Sequence, residues 1–248
     1  MGRGGAARVI TVLLAAHHYA PGDRVALDTD EAHHLEVRRA RDREVVEFID
    51  GAGRRGRGRL ILGHGEPALS IDDVVLEPAP APLVLGIGGG DRERFAWLTE
   101  KAAEIGATEV VPLETDRTTG VASRVRAQHV GKLERRAREA LKQSGNAWAP
   151  SVRDPEPLAR FLSRASGVRW LLDAAGESAP ISVENGPAFV LIGPEGGLTT
   201  AERAAAVAAG FRPVAAGPHV LRFETAALAG AILLQAARTR SRIAHSGV

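Results

Sequence analysis

The chain contains no cysteine. That absence excludes disulfides, thiolate zinc sites, iron–sulfur clusters and cysteine nucleophiles together. It fits a reducing compartment without requiring one. Long apolar runs are missing as well. The first, VITVLLAA at residues 9–16, stops at His17 and His18. It is far too short to span a bilayer and a poor core for a secretion signal. It reads as a first strand, and the protein as cytoplasmic, with no membrane partner. Charge of one sign is also scarce: 32 Lys and Arg stand against 30 Asp and Glu, a formal net charge of +2. The chain as a whole is no polycation. Its 248 residues, 44% hydrophobic, suffice for one large domain or two smaller ones with packed cores.

Several catalytic signatures are missing too. No serine stands in a GxSxG elbow, there is no HExxH, and no Lys-Ser or Lys-Thr pair completes a P-loop. GGGDR at 88–92 and GPEGG at 193–197 are glycine-rich, but neither has the GxGxxG spacing of a dinucleotide fingerprint. The histidine pairs 17/18 and 33/34 point to opposite faces if they lie on strands, and read as solvated or interdomain residues. No metal is expected.

What is present divides the chain in two. Residues 1–77 carry short β-rich runs, RVITVLL, DRVALD, REVVEFI, GRLIL and DDVVLE, separated by Gly, Pro, Asp and Arg. This spacing favours a compact barrel, with a short helix at 30–42 lying against it. Pro78, Pro80 and Pro82 then stiffen a linker over 78–82. From 83 to 248 strand and helix patterns alternate. LVLGI, EVVPL, WLLDA, FVLIG and PVAAG read as strands. RERFAWLTEKAAEIG puts Phe95, Leu98, Ala102 and Ile105 on one helical face. A basic helix is expected around 123–145, and Thr199 with Glu202 forms a capping-box pattern. The closing ETAALAGAILLQAARTR is a mostly apolar helix, buried on its own sheet or in a subunit interface. The class is α/β with a largely parallel sheet.

Basic residues cluster twice: Arg54, Arg55, Arg57 and Arg59 in a GAGRRGRGRL turn, and KLERRAREALK at 132–142. Two readings stand for these patches, contact with a polyanion such as RNA, and solvated turns and helix faces. Three irregular turns follow strands: DAAGE, GPEGG and GPHVLR. A parallel sheet gathers such turns at its carboxyl edge, where open α/β sheets bind ligands. Backbone groups there bracket an adenine or sugar, and few basic residues are at hand for a triphosphate. A nucleoside without phosphates suits this chemistry. S-adenosylmethionine is one, and its sulfonium tolerates a nearby carboxylate.

The motifs EAHHLEVRRARD (31–42), RFAWLTEKAAEIGATEVVPLETDRT (94–118), EALKQSG (139–145), LIGPEGGLTTAE (191–202) and AGPHVLRFETAALAGAILLQ (216–235) resemble the RsmE family over nearly the whole length. These are bacterial methyltransferases of the knotted SPOUT class. The resemblance implies an N-terminal PUA-like small β-barrel joined to a C-terminal SPOUT domain with a trefoil knot. It implies S-adenosylmethionine as methyl donor, S-adenosylhomocysteine as product, and N3 of one uridine in 16S ribosomal RNA as acceptor. A homodimer through the SPOUT domain and a small-subunit partner come with it. Carried onto this chain, the cofactor pocket comprises Leu172 and Asp173 at the first turn, and Gly193, Glu195, Gly196 and Gly197 at the second. Gly217, Val220, Leu221, Arg222 and Thr225 form the third. Departures are Gly89, where many relatives carry lysine, and Asn146, where many carry arginine; Arg92 and Lys142 are the expected substitutes for the lost charge.

N3 of uracil carries a proton and lies on the Watson–Crick edge, so methylation needs an unpaired base and a proton acceptor. Arg222 is expected to stabilise charge spreading onto O2 and O4, or else to cap the fold with Glu224. Glu195 and Glu224 are the candidate bases, each with a structural alternative. Arg38, Arg39 and Arg41, with Arg54–Arg59, Arg92 and Lys142, are the expected RNA contacts. Two other readings of the same residues are a SPOUT enzyme acting on another RNA base or a ribose 2′-hydroxyl, and a non-catalytic ribosome-binding protein.

Overall fold

The computed structural model describes residues 9–63 and 65–246; Met1 to Arg8 of the N-terminal reading lie outside them. The chain forms two compact units, one running to Ala79 and taking in Leu141–Ala149, the other Pro80–Ala140 with Pro150 onward. The segment Leu141–Ala149, assigned by the sequence to the second domain, thus packs with the first.

The first unit holds β1 (Thr11–Leu13), β2 (Arg24–Ala26), α1 (Thr29–Arg38), β3 (Val45–Ile49), β4 (Arg54–Ile61) and β5 (Ala68–Leu76). The strands form one mixed sheet in the order β1-β3-β4-β5-β2, so β1 and β2 are edges and the barrel is a half-barrel. The β1–β3 pair is parallel and the rest antiparallel. Val12, Val46, Phe48, Leu60, Leu69 and Ile71 fill its core, with Leu35 of α1 packed on top. The Asp28 carboxylate caps α1 by accepting the Glu31 N–H at 2.8 Å. The helix ends at Arg38, earlier than its charged pattern suggests, because Arg39 turns left-handed (φ 55°) and returns its N–H to the Glu36 carbonyl. His33 and His34 therefore lie on a helix, not a strand.

GAGRRGRGRL is mostly strand rather than turn. Alternation along β4 puts Arg55, Arg57 and Arg59 on one face, and Gly56 and Gly58 on the other, toward Phe48 and Leu69. A bulge between Arg57 and Gly58, opposite Asp72, bends the ladder.

The second unit begins with β6 (Leu83–Ile87), α2 (Arg92–Ile105), β7 (Glu109–Glu114) and most of α3 (Val130–Ser144), whose last turn from Leu141 belongs to the first unit. Residues 123–126 are not helical, and Ala127–His129 make one 3₁₀ turn, so α3 starts later than expected. Short pieces β8 (Ser151–Val152), β9 (Glu156–Pro157) and α4 (Leu158–Arg164) follow, none of them foreseen. Then come β10 (Val168–Ser178), β11 (Ala188–Ile192), α5 (Thr200–Ala208), β12 (Arg212–Ala215) and α6 (Phe223–Ser246).

The sheet is parallel, in the order β12-β10-β11-β6-β7-β8. Every residue of β6 and β11 is buried, which is why these strands read as unbroken apolar runs. On one face α2 and α6 pack through Phe95, Leu98, Ala102, Ala227, Ala231 and Leu234. On the other, Phe161 and Leu162 of α4 and Ala206 of α5 meet Val111, Phe189 and Leu191. Residues 179–187 join parallel β10 and β11 without a helix and run along α6. There the Val183 N–H donates to the Ala237 carbonyl, and Arg238 donates to the carbonyls of Pro82 and Gly186. Among the described residues no helix is long and apolar enough to cross a membrane.

Candidate functional site

Because β10, β11 and β12 are parallel neighbours, their carboxyl ends open on the same edge. A cavity of about 590 Å³ lies there, within the usual size of small-molecule sites. Its walls come from three chain segments. The first is the end of β10, where DAAGE proves not to be a turn. Leu172 and Glu177 both register against Val214, so residues 173–176 bulge from a strand that continues to Ser178. The bulge carries Asp173 and Ala174 into the cavity wall.

The second wall is the GPEGG turn after β11. Gly197 donates its N–H to the Pro194 carbonyl at 2.7 Å and sits at φ 72°, a conformation that favours glycine. The turn is fastened from both sides. The Glu195 carboxylate accepts the Gly90 N–H at 3.2 Å, and the Arg117 guanidinium donates to the carbonyls of Gly196 and Gly197. The Thr199–Glu202 capping box forms as expected and launches α5, while Glu202 also accepts the Asp116 N–H at 2.8 Å.

The third wall is the loop Ala216–Arg222 and the first turn of α6, with His219, Val220, Leu221, Arg222, Phe223 and Ala226 lining the cavity. The Arg222 side chain is exposed and makes no hydrogen bond or ion pair among the described residues. Glu224 does not line the cavity. It is buried, its Oε1 3.8 Å from Arg94 Nη1, and its Oε2 has no hydrogen-bond partner among the described residues. The pairing weighed for Arg222 and Glu224 is thus replaced by one between Arg94 and Glu224.

Of the expected cofactor residues, Leu172, Asp173, Gly193, Glu195, Gly196, Gly197, Val220, Leu221 and Arg222 line this one cavity, whereas Gly217 and Thr225 do not. Sequence reasoning missed Arg203, one residue beyond the capping-box glutamate. It crosses to Asp173 with an Nε–Oδ2 distance of 2.7 Å. Burial works to raise the Asp173 carboxyl. The Arg203 hydrogen bond, the Ala175 N–H and the Arg203 charge outweigh it, and hold the group below the usual carboxylate range.

The expected RNA contacts divide sharply. Arg38, Arg39 and Arg41 are exposed, and their side chains make no ion pair among the described residues. On the half-barrel, Arg54 pairs with Asp50, Arg55 with Glu77, Arg57 with Asp73 and Arg59 with Asp72. Lys142 is bound to the buried Glu31 and is itself mostly covered, so it cannot supply the charge lost at Asn146. Asn146 instead accepts the Trp148 N–H at 3.0 Å. Arg92 opens α2 and is exposed. At Gly89 a Cβ would stand 2.6 Å from the ring of Phe223, so glycine here is a packing requirement.

The same residues match known proteins. The RNA methyltransferase domain family matches residues 77–235. Ribosomal RNA small subunit methyltransferase E of Synechocystis is 32% identical over 216 residues, 82% of this chain and 69% of that one. Its Bacillus subtilis namesake is 28% identical over 166 residues, 61% of this chain and 63% of that one. Among solved structures, ribosomal RNA small subunit methyltransferase E from Neisseria gonorrhoeae, bound to S-adenosyl methionine, superimposes with a TM-score of 0.78 at 24% identity, over 90% of this chain and 95% of that one. A Legionella pneumophila protein in complex with SAM gives 0.80 at 25% identity, over 94% and 99%. With its half-barrel, its parallel sheet and its three strand ends around one cavity, the chain belongs to the RNA methyltransferase domain family, among the ribosomal RNA small subunit methyltransferase E (RsmE) proteins.

Proposed function

We propose that the protein methylates N3 of a uridine in 16S ribosomal RNA, using S-adenosylmethionine held at the carboxyl ends of β10, β11 and β12. The observation that carries this reading is the composition of that cavity. Among the described residues its arginines and lysines are Arg203, already paired with Asp173, and Arg222, so it is poorly suited to a triphosphate. Its backbone turns at Gly193–Gly197 and Ala216–Leu221 suit an adenine and a ribose. The Glu195 carboxylate suits a cationic ligand. Bound there, S-adenosylmethionine supplies a methyl group already activated by its sulfonium.

The chain's own groups then position and stabilise. Arg222, exposed at the cavity and without a side-chain partner among the described residues, neutralises the charge that spreads over O2 and O4 of uracil once N3 loses its proton. Arg38, Arg39 and Arg41 hold phosphate, which orients RNA without reading its sequence. Glu224, sequestered with Arg94, keeps a structural role.

Two further parts of the reading concern assembly. Trp97 on α2 and Ile232 on α6 are 42% and 53% exposed, on two helices that pack together. Large apolar side chains left exposed on adjoining helices support a homodimer through α2 and α6. The small ribosomal subunit is the partner that presents the uridine, and the cytoplasm is where the two meet.

The test is transfer of labelled methyl from S-adenosylmethionine into small subunits from cells lacking the native modification, followed by RNA digestion and mass analysis. The expected product is N3-methyluridine at one position. Label on a ribose or another base overturns the acceptor, and no label alongside no cofactor binding overturns the enzyme.

A further inference from the structure

The reaction just proposed needs a group to take the N3 proton, and the cavity offers few. Its ionisable side chains are Asp173, Glu195, Arg203, His219 and Arg222. The two arginines are donors only. Asp173 uses Oδ2 for Arg203 and Oδ1 for the Ala175 N–H, and those bonds make it a weak acceptor. Glu195 already accepts the Gly90 N–H, and with it holds the GPEGG turn in place. Glu224 lies outside the cavity, beside Arg94. His219 is different. It sits three residues before Arg222 on the same loop, is exposed at the cavity wall, and makes no hydrogen bond or ion pair among the described residues.

We infer that His219 is the general base for the methyl transfer, working beside Arg222 on the same loop. This rests on the uridine N3 reading. An imidazole ring carries one nitrogen that can accept a proton and later pass it to water. The other charged side chains of the cavity wall are Asp173 and Glu195, from β10 and the GPEGG turn, Arg222 on the loop of His219, and Arg203 on α5. From α6 the wall residues are Phe223 and Ala226, which carry no charge.

The balance is simple. The imidazole nitrogen takes the N3 proton, and the electron pair of the N3–H bond becomes the pair that forms the N3–CH₃ bond. The pair of the broken S–CH₃ bond stays on sulfur as the neutral thioether, and the imidazolium returns its proton to water.

The test uses the full chain with His219→Ala and His219→Gln, on RNA carrying uridine or 5-fluorouridine at the target, over a range of pH. Fluorine acidifies N3, so a substrate that ionises by itself bypasses a missing base. Both variants should bind S-adenosylmethionine within about two-fold of wild type by calorimetry. On uridine at neutral pH their transfer rate should fall by about 100-fold. The acidic limb of the wild-type profile should vanish in the variants, and 5-fluorouridine should restore most of the rate. A retained acidic limb, or a loss that 5-fluorouridine fails to repair, overturns the assignment. So does finding that Glu195→Gln, and not His219→Gln, is the variant 5-fluorouridine rescues. If wild-type enzyme makes no N3-methyluridine while binding the cofactor, the acceptor reading fails first and this role with it.

Discussion

Gly89 and Phe223 illustrate how a residue that looks like a functional loss is fixed by packing. Read alone, a glycine where relatives carry lysine removes a charge near the ligand. In the fold, the space a side chain would need is filled by the ring of Phe223, itself 2% exposed. Gly89→Ala should cost about 1–3 kcal/mol by overpacking. Paired with Phe223→Leu it should cost less than the sum of the single changes, by about 1 kcal/mol. Urea titrations of the four proteins measure this, and strict additivity would mean the ring yields freely. Asp173 makes a second residue-level prediction. Its folded value is depressed, so its pairing with Arg203 stabilises the fold above the ordinary carboxylate range. That contribution disappears as pH falls through the folded value, below about pH 4. Asp173→Asn should therefore lower the denaturation midpoint near neutrality and flatten its fall in acid. Parallel curves for the two proteins would show that the pair adds nothing.

At the scale of elements, helices and buried strands were legible wherever local chemistry agreed with tertiary context. Thr199 caps the helix it precedes, Phe95, Leu98 and Ala102 lie together on the buried side of α2, and β6 and β11 are apolar because both faces are covered. The misreadings have definite causes. DAAGE looks like a turn, but β12 holds the chain on both sides of the bulge, a pairing no local pattern displays. GAGRRGRGRL looks like a turn because its glycines are poor strand formers and its arginines carry no apolar alternation. Its neighbour β5 supplies Asp72 and Asp73, with Glu77 just beyond, to face the arginines. Those pairings change what the arginines are expected to do. Replacing Arg38, Arg39 and Arg41 together with glutamine should flatten the salt dependence of RNA binding by about 2 in log–log slope. The same change at Arg55 and Arg57 should alter it much less, since their charge is already met by Glu77 and Asp73. Equal effects from the two sets would return the β4 face to the RNA interface.

For the whole molecule, the prolines at 78–82 mark where one kind of texture gives way to another, and the boundary at Ala79 falls among them. The return of Leu141–Ala149 to the first unit has no such signature, because it rests on pairings distant in sequence. Lys142 meets the buried Glu31, and the Gly53 N–H bonds the Ala147 carbonyl. The cavity was legible through its glycines, whereas the Arg203–Asp173 pair and the hold of Arg117 on the Gly196 carbonyl join residues distant in sequence and leave no local pattern. The proposed dimer makes its own prediction. Trp97→Glu with Ile232→Glu should shift the protein to monomers in sedimentation while leaving its fold intact, and an unchanged mass would remove α2 and α6 from the interface. The most direct test of the account is a crystal structure of the full chain with S-adenosylhomocysteine. The predicted result is the nucleoside lodged among Leu172, Gly193 and Leu221, with His219 and Arg222 beside its sulfur. Ligand bound elsewhere on the molecule, with this cavity empty, would contradict the account.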